Sequence, residues 1–240
     1  MIKALLFDVF GTVVDWRSGI SRDVNAIAEK YNINLNPEQF ADSWRNEYQP
    51  AMERVRSGKR EFVKLDILHE ENFDKISKDF GLEKISMDDK LWLIRSWHRL
   101  PGWPDSTSGL LRLKSKFIVC AQSNGNVSLI LNMAKFSRLY WDMILGAEVV
   151  GYYKPEPQAY KKACEKIDLK TEECLMVAAH NNDLKAARKE GMKTAFVLRP
   201  TEYGNNQSSD LKPSQDWNYI VNNFHDLADL LKCKKEDYFI

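Results

Sequence analysis

The chain has 240 residues, with 35 lysines and arginines against 34 aspartates and glutamates, and 44% of its residues are hydrophobic. A formal net charge of +1 excludes the one-sided field with which proteins attract nucleic acids or acidic membranes, so we expect a small molecule, bound at a locally built site, as the partner. No segment reaches the ~20 apolar residues of a spanning helix, and the first residues carry no small-residue cleavage site, so we predict a cytoplasmic protein. The four cysteines are scattered along the chain, which predicts reduced thiols.

Short apolar segments rich in β-branched and aromatic residues predict strands. Helical patterns follow Asn126, Glu156 and Asn182, and Gly191 is placed to end the last of these helices. Because strands alternate with helices of about a dozen residues, we predict an α/β fold with a Rossmann-like parallel sheet covered on both faces. The predicted strands are residues 2–7, 117–122, 142–147, 175–179, 194–198 and 218–221.

The residues between the first two predicted strands carry only helical patterns. Asn36 followed by Pro37 predicts a helix start, and Ser86 predicts another. Pro50 predicts that the first of these helices is kinked or ends after Gln49.

This order of elements predicts two domains. A strand, a long helical stretch and then a strand–helix alternation indicate an all-helical cap inserted after the first strand of an α/β core. We predict a core of residues 1–15 and 101–240 and a cap of residues 16–100.

Polar side chains follow four of the predicted strands. In open α/β sheets, ligands bind outside the carboxyl ends of the strands. Each polar group alone is also typical of a helix cap, a turn or a solvated lysine, but the four in this order predict a functional site. In chain order the groups are Asp8 with Gly11 and Thr12, Ser123 with Asn124, Lys154, and His180 with Asp183.

With these residues the sequence resembles the haloacid dehalogenase superfamily over nearly the whole chain. The resemblance implies that Asp8 is a nucleophile, which divides one difficult displacement into two easier ones. Lys154 would lower the cost of holding Asp8 ionised. The Ser123 hydroxyl and the backbone amides near it would hold an anionic group of the substrate.

Phe10 separates two branches of this superfamily. Phosphatases carry a second aspartate at this position, where it protonates the leaving alkoxide, and they bind Mg²⁺ through acids of the fourth loop. Here the position is Phe10, and the fourth loop, residues 178–183, contains one carboxylate. A halide leaves as a stable anion and needs no proton, so the sequence resembles the L-2-haloacid dehalogenase branch.

The branch implies hydrolysis of short (S)-2-haloalkanoic acids to (R)-2-hydroxy acids, without a metal or an organic cofactor, by a homodimer. Asp8 would form the ester, Arg45 would receive the halide, Lys154 would balance charge and Asp183 would act as general base. The substrate is then a small 2-halocarboxylate. The expected substrate-binding residues are Thr12, Ser123, Asn124, Phe10, Tyr160 and His180.

His180 departs from the branch, whose best-known members have an asparagine there. It could orient the hydrolytic water, donate to a leaving group such as fluoride, or only bond neighbouring loops. We interpret His69, His98 and His225 as structural or surface residues.

Aromatic residues cluster where the predicted cap returns to the core. Trp92, Trp97 and Trp103 are typical of packing, but one of them could join Phe10 and Trp16 in an apolar wall of the site.

Two other functions stay open. One is a Mg²⁺-dependent phosphatase acting on a small metabolite, which the fold favours and Phe10 disfavours. The other is a catalytically silent α/β binding protein, which would have no need to keep Asp8, Lys154 and Asp183 together.

Overall fold

A six-stranded parallel sheet forms the centre of the molecule, in a computed structural model that describes residues 1–234. The strand order is β3-β2-β1-β4-β5-β6, so the order reverses beside β1 and leaves a crevice at its carboxyl end. The strands are β1 (Ala4–Phe7), β2 (Ile118–Ala121), β3 (Met143–Ile144), β4 (Cys174–Ala178), β5 (Lys193–Val197) and β6 (Tyr219–Val221). All six predicted strands and the Rossmann-like fold class are confirmed.

Strand β3 is much shorter than its apolar segment, 142–147, predicts. It lies at the edge of the sheet and pairs only with β2, through Met143 and Ile144. A helix already begins at Ala147. An edge position gives the chain few ladder hydrogen bonds, so the neighbouring turn and helix decide where this strand ends.

Helices account for the regular structure between β1 and β2 within residues 16–100. Short 3₁₀ turns connect some of them, at 77–80, 82–84 and 95–99. The helices are α1 (Trp16–Tyr31), α2 (Pro37–Asn46), α3 (Tyr48–Arg56), α4 (Leu65–Ile76) and α5 (Met87–Ile94). The helices that cover the sheet follow, as α6 (Ser106–Lys114), α7 (Val127–Ser137), α8 (Ala147–Val150), α9 (Pro157–Glu165), α10 (Asn181–Lys189) and α11 (Phe224–Leu230).

The two predicted caps in the helical segment are confirmed, but the prediction for Pro50 is wrong. The Asn36 side chain accepts a hydrogen bond from the Gln39 amide at 3.0 Å, and Ser86 caps α5 in the same way. Helix α2 ends at Asn46, before Pro50, which lies in the first turn of α3. Proline is tolerated there because first-turn amides have no acceptor within the helix.

The sheet is buried on both faces, as its nearly continuous apolar strands require. Within β1, Leu5 and Phe7 pack into one cluster, and Ala4 and Leu6 into another on the opposite face. The first cluster continues into the helical segment through side chains such as Trp97. The division into a core and a cap remains a prediction, and residues 235–240 of the predicted core lie outside the described part.

None of the helices described in residues 1–234 has the length and apolar character needed to cross a membrane.

Candidate active site

The candidate site is a cleft at the carboxyl ends of β1 and β4, where the strand order reverses. Asp8 follows β1, and its amide donates to the Val177 carbonyl oxygen at 3.0 Å, which fixes the residue to the neighbouring strand. The cleft has a volume of about 390 Å³. Its lining includes most of the predicted site residues, namely Asp8, Phe10, Arg45, Asn124, Lys154, Tyr160, His180 and Asp183.

The Asp8 carboxylate is buried and accepts hydrogen bonds at both oxygens. Oδ1 accepts from Lys154 Nζ at 2.9 Å, while Oδ2 accepts from Thr12 Oγ1 at 2.7 Å and lies 3.0 Å from His180 Nδ1. Burial alone would raise the pKa of Asp8, but the charges and hydrogen bonds of Lys154 and His180 outweigh it and hold the pKa well below its ordinary range. Asp8 is therefore an ionised carboxylate at neutral pH, the form that its predicted role requires.

Lys154 bridges two carboxylates. Its ammonium contacts Asp8 Oδ1 and also donates to Asp183 Oδ2. Burial alone would lower the pKa of Lys154, but Asp183 and Asp8 raise it above its ordinary value of 10.5, so the ammonium stays charged. The backbone amide of Lys154 donates to Asn124 Oδ1 at 2.7 Å, which ties the loop after β3 to the loop after β2.

Asp183 is held from the other side by Tyr160. The phenol donates to Asp183 Oδ1 at 2.6 Å, and burial together with Asp183 raises the pKa of Tyr160, so the phenol stays neutral. A carboxylate has about four lone-pair positions, so Asp183 can still accept from a water molecule.

His180 lies between two carboxylates, and the second of these has no predicted role. Its Nδ1 faces Asp8 and its Nε2 lies 2.9 Å from Glu202 Oε2. Burial alone would lower the pKa of His180, but Glu202 and Asp8 raise it well above 6.5. The ring is therefore an imidazolium that donates from both nitrogens.

Glu202 is almost completely buried in the loop after β5. Its Oε1 accepts from Trp16 Nε1 at 2.9 Å, and its side chain is 1% exposed. Burial would raise the pKa of Glu202, but the His180 charge and Arg45 outweigh burial and lower it. In the sequence, a role for Glu202 was indicated only by its place in the loop that follows a predicted strand, and Glu202 belongs to no recognised motif.

Arg45, near the end of helix α2, places a cation over aromatic rings at the cleft. The guanidinium carbon lies 4.2 Å from the centre of the Tyr48 ring, 5.3 Å from Trp16 and 5.9 Å from Phe10. Its Nη1 is buried without a hydrogen-bond partner among the described residues. An anion in the cleft could accept from this N–H group, which otherwise has no compensation for its burial.

Thr12 and Ser123 are buried and are not among the residues that line the cleft, so their expected part in holding the substrate remains a prediction. Thr12 is fully buried, donates to Asp8 Oδ2 and accepts from the Ala179 amide at 2.9 Å. Ser123 Oγ accepts from the Gly125 amide at 3.0 Å and shapes its own turn. The Thr12 hydroxyl therefore both donates and accepts within the protein, whereas the contact of Ser123 with Gly125 uses only a lone pair and leaves its O–H group able to donate.

Several further residues line the cleft without having been predicted. Tyr48 lies within 4.2 Å of the Arg45 guanidinium carbon, measured to its ring centre, and Arg56 Nη1 donates to the Lys154 carbonyl oxygen at 3.0 Å. Tyr48 begins α3 directly after the turn that follows α2 and Arg45, so its place in the cleft depends on the junction of the two helices. The unpredicted lining residues are Tyr48, Gln49, Arg56, Pro155, Asn182, Tyr203 and Asp210.

An aromatic wall lies behind Phe10. Trp97 contacts the Phe10 ring at a centroid distance of 5.8 Å and stacks on Trp16 at 6.4 Å. His69 stacks on Trp97 at 4.3 Å, and burial lowers the pKa of His69 to about 3, so it packs as a neutral ring. Trp92 is 41% exposed and has no part in this wall.

No group of three or more His, Cys, Asp or Glu side chains within residues 1–234 is arranged to hold a metal ion. The carboxylates of the cleft face nitrogen donors, with Lys154 between Asp8 and Asp183.

Comparisons with known proteins agree on one family. A family model for haloacid dehalogenase-like hydrolases matches residues 2–191. A solved structure of a defluorinating L-2-haloacid dehalogenase is 44% identical, with a TM-score of 0.94 over 97% of this chain and 96% of that one. A second L-2-haloacid dehalogenase structure is 43% identical, with a TM-score of 0.93 over 97% of this chain and 99% of that one. Among curated proteins, (S)-2-haloacid dehalogenase 4A of Burkholderia cepacia is 28% identical, covering 84% of this chain and 87% of that protein.

Proposed function

The chain belongs to the haloacid dehalogenase-like hydrolases, and on that premise we propose that it is a metal-independent (S)-2-haloacid dehalogenase. Its substrates are short (S)-2-haloalkanoic acids and its products (R)-2-hydroxy acids. The observation that carries the proposal is an ionised, buried Asp8 that shares its cleft with the unpaired Arg45 N–H group and has Phe10 where a phosphatase needs an acid.

In the first half-reaction, Asp8 attacks the α-carbon from the side opposite the halogen. A bond forms between a carboxylate oxygen and this carbon, the carbon–halogen bond breaks, and the halide leaves with the bonding pair. Arg45 stabilises the departing anion, since its buried guanidinium has an unused donor in the cleft. The product is an ester of Asp8 with inverted configuration.

In the second half-reaction, water attacks the ester carbonyl carbon of Asp8. Asp183 accepts a proton from the water and returns it to the leaving alkoxide, which departs as the hydroxy acid. Lys154 stays charged between Asp8 and Asp183 throughout and limits their repulsion. The new carboxyl group of Asp8 carries the second water proton and releases it to solvent, which regenerates the Asp8 carboxylate.

The phosphatase alternative lacks the carboxylic acid that phosphatases of this superfamily carry two residues after the nucleophile. An alkoxide leaving from phosphorus needs a general acid, and the Phe10 ring packs against Trp97 and cannot supply a proton.

Membership of the family also leads us to propose a helical cap of residues 16–100, a homodimer and a cytoplasmic location. The proposed small-molecule partner is a short halocarboxylate.

Halide release in the presence of EDTA tests the proposal directly. We expect chloroacetate, fluoroacetate and the S enantiomer of 2-chloropropionate to release halide, and the R enantiomer to release much less. EDTA should not change these rates, because the proposed cycle uses no divalent ion. Loss of halide release on chelation would refute metal independence, and no release from any of the four acids would refute the dehalogenase and favour the phosphatase.

Replacing Arg45 by glutamine should slow ester formation about 10²-fold, as removal of one charge-stabilising donor does elsewhere. The stopped-flow burst of halide measures this step, and the loss should be larger for chloride than for bromide, the better leaving group. Arg54→Gln is the matched control, because Arg54 is exposed on helix α3 and does not line the cleft. Equal burst rates in the Arg45→Gln variant and the unaltered protein would contradict the role.

A further inference from the structure

The two oxygens of Asp8 have different surroundings, and we propose that this difference assigns them different roles. Oδ1 is the nucleophile, while Oδ2 becomes the ester carbonyl oxygen, whose negative charge during hydrolysis is held by Thr12 and His180. Glu202 is the positioning residue for His180. The inference rests on the proposed dehalogenase cycle and assigns its second half-reaction an oxyanion site.

Oδ2 is the oxygen that the protein already holds. Thr12 Oγ1 lies 2.7 Å away and accepts from the Ala179 amide, so the Thr12 hydroxyl proton is directed at Asp8. His180 Nδ1 supplies a second donor at 3.0 Å. Within residues 1–234, Oδ1 accepts from Lys154 alone, at 2.9 Å. An oxygen with two donors is the weaker nucleophile, so attack through Oδ1 follows.

The donors of Oδ2 fit the charge that develops during hydrolysis. When water bonds to the Asp8 carbonyl carbon, the π pair moves onto Oδ2, and the water proton passes to Asp183. Collapse of this intermediate restores the carbonyl, breaks the bond from the Asp8 carbon to Oδ1, and sends Oδ1 out with the alkoxide. Donors already aimed at such an oxygen need no reorganisation at the moment of reaction.

Glu202 makes His180 a donor rather than an acceptor. A carboxylate lies at each ring nitrogen of His180, which favours the charged ring with a hydrogen on both nitrogens. Glu202 keeps its charge at Nε2 after Asp8 has become a neutral ester, so the ring remains charged and Nδ1 still donates to Oδ2. A neutral ring with its hydrogen on Nε2 would present the Nδ1 lone pair to Oδ2, and the negative charge of Glu202 disfavours this form relative to the imidazolium.

The site is built around the Glu202 carboxylate. Gly11 has a backbone φ of +81°, and a Cβ atom there would lie 2.0 Å from Glu202 Oε1, so only glycine permits the approach. Trp16 Nε1 fixes the same oxygen. Burying a carboxylate costs free energy unless it is paired with a cation. Glu202 pairs with His180, the ring that contacts Asp8.

Bromoacetate and chloroacetate give a distinctive test, because both produce the same ester of Asp8. In His180→Gln we expect hydrolysis to slow about 10²-fold, and in Glu202→Gln about tenfold, since a charge-assisted hydrogen bond becomes a neutral one. In both variants kcat should become equal for the two substrates. Intact mass of acid-quenched enzyme should show the ester on most molecules, after an undiminished stoichiometric halide burst.

Glu173→Gln is the matched control, because Glu173 pairs with Lys3 just before β4. This pair lies at the amino ends of the strands, whereas the cleft lies at their carboxyl ends. It should keep the substrate preference and the ester level of the unaltered protein. Should His180→Gln disturb folding, as thermal unfolding would show, the isosteric Glu202→Gln variant still decides the question.

Slower turnover that keeps its leaving-group dependence and accumulates no ester would overturn the oxyanion site. Loss of the halide burst in a folded variant would also overturn it, by placing His180 in ester formation. Failure of the dehalogenase proposal itself is distinguishable, because the unaltered protein would then release no halide.

Discussion

Replacing Asp8 by asparagine is expected to abolish halide release from every 2-haloacid, with a loss of about 10⁴-fold or more, as for other covalent nucleophiles. An amide oxygen carries no full charge and its attack on carbon would leave a cationic product. The amide nitrogen would in addition face donors, because Lys154 contacts one Asp8 oxygen and Thr12 with His180 the other. Initial rates by halide electrode on chloroacetate measure the loss.

The control is Asp216→Asn, in which the altered carboxylate is 98% exposed and pairs with Arg188 at the surface. It should leave the rate unchanged. A catalytically silent binding protein would instead retain its biological activity in the Asp8→Asn variant, so growth on 2-chloropropionate or another cellular readout separates that reading from catalysis.

Isotope labelling shows whether Asp8 is esterified. In a single turnover in water enriched with ¹⁸O, the attacking water oxygen stays on the Asp8 carboxylate and the hydroxy acid leaves with an oxygen of the protein. Mass spectrometry of the peptide that contains Asp8 should therefore find the label there. Label found only in the released acid would mean direct attack of water on the substrate.

The sequence was sufficient for the sheet because burial on both faces makes each central strand a continuous apolar run. Once β1 and β4 are located, Asp8 and Asp183 are expected at the carboxyl ends of neighbouring parallel strands. The structure does bring them together through Lys154. The length of edge strand β3 could not be predicted, since pairing on one side leaves its ends to local turns.

Side-chain contacts of the site were less predictable. Thr12 has the residue type of a substrate ligand, but its direction is set by the Ala179 amide across the sheet edge. Glu202 comes from a loop after β5, and only the fold shows that Gly11 leaves room for it. Such contacts depend on tertiary packing between segments far apart in the chain. The location of Arg45 in the cleft was anticipated from the resemblance and not from its helical spacing.

Replacing Lys154 by methionine is expected to lower the free energy of unfolding by about 3–5 kcal/mol at pH 7, the usual effect of removing one partner of a buried ion pair. It should also slow halide release by about 10³-fold. The ammonium is the charge that lies between Asp8 and Asp183, so the variant buries two carboxylates without it. Lys185→Met, on the exposed face of α10, is the control for the change of side chain.

The pH dependence distinguishes this electrostatic role from a loss of packing. The lowered pKa of Asp8 contributes stability that is fully present above its ordinary value of 3.8. This stability is lost as pH falls below 3.8 towards the lower pKa of the folded state. The raised pKa of Lys154 contributes stability below 10.5 that is lost only at higher pH. In Lys154→Met the pKa of Asp8 must rise, although His180 still contacts it, and protonation then relieves the repulsion from Asp183. Urea unfolding should therefore show the largest deficit of the variant near neutral pH and a smaller one near pH 4, whereas a packing defect would give the same deficit at both.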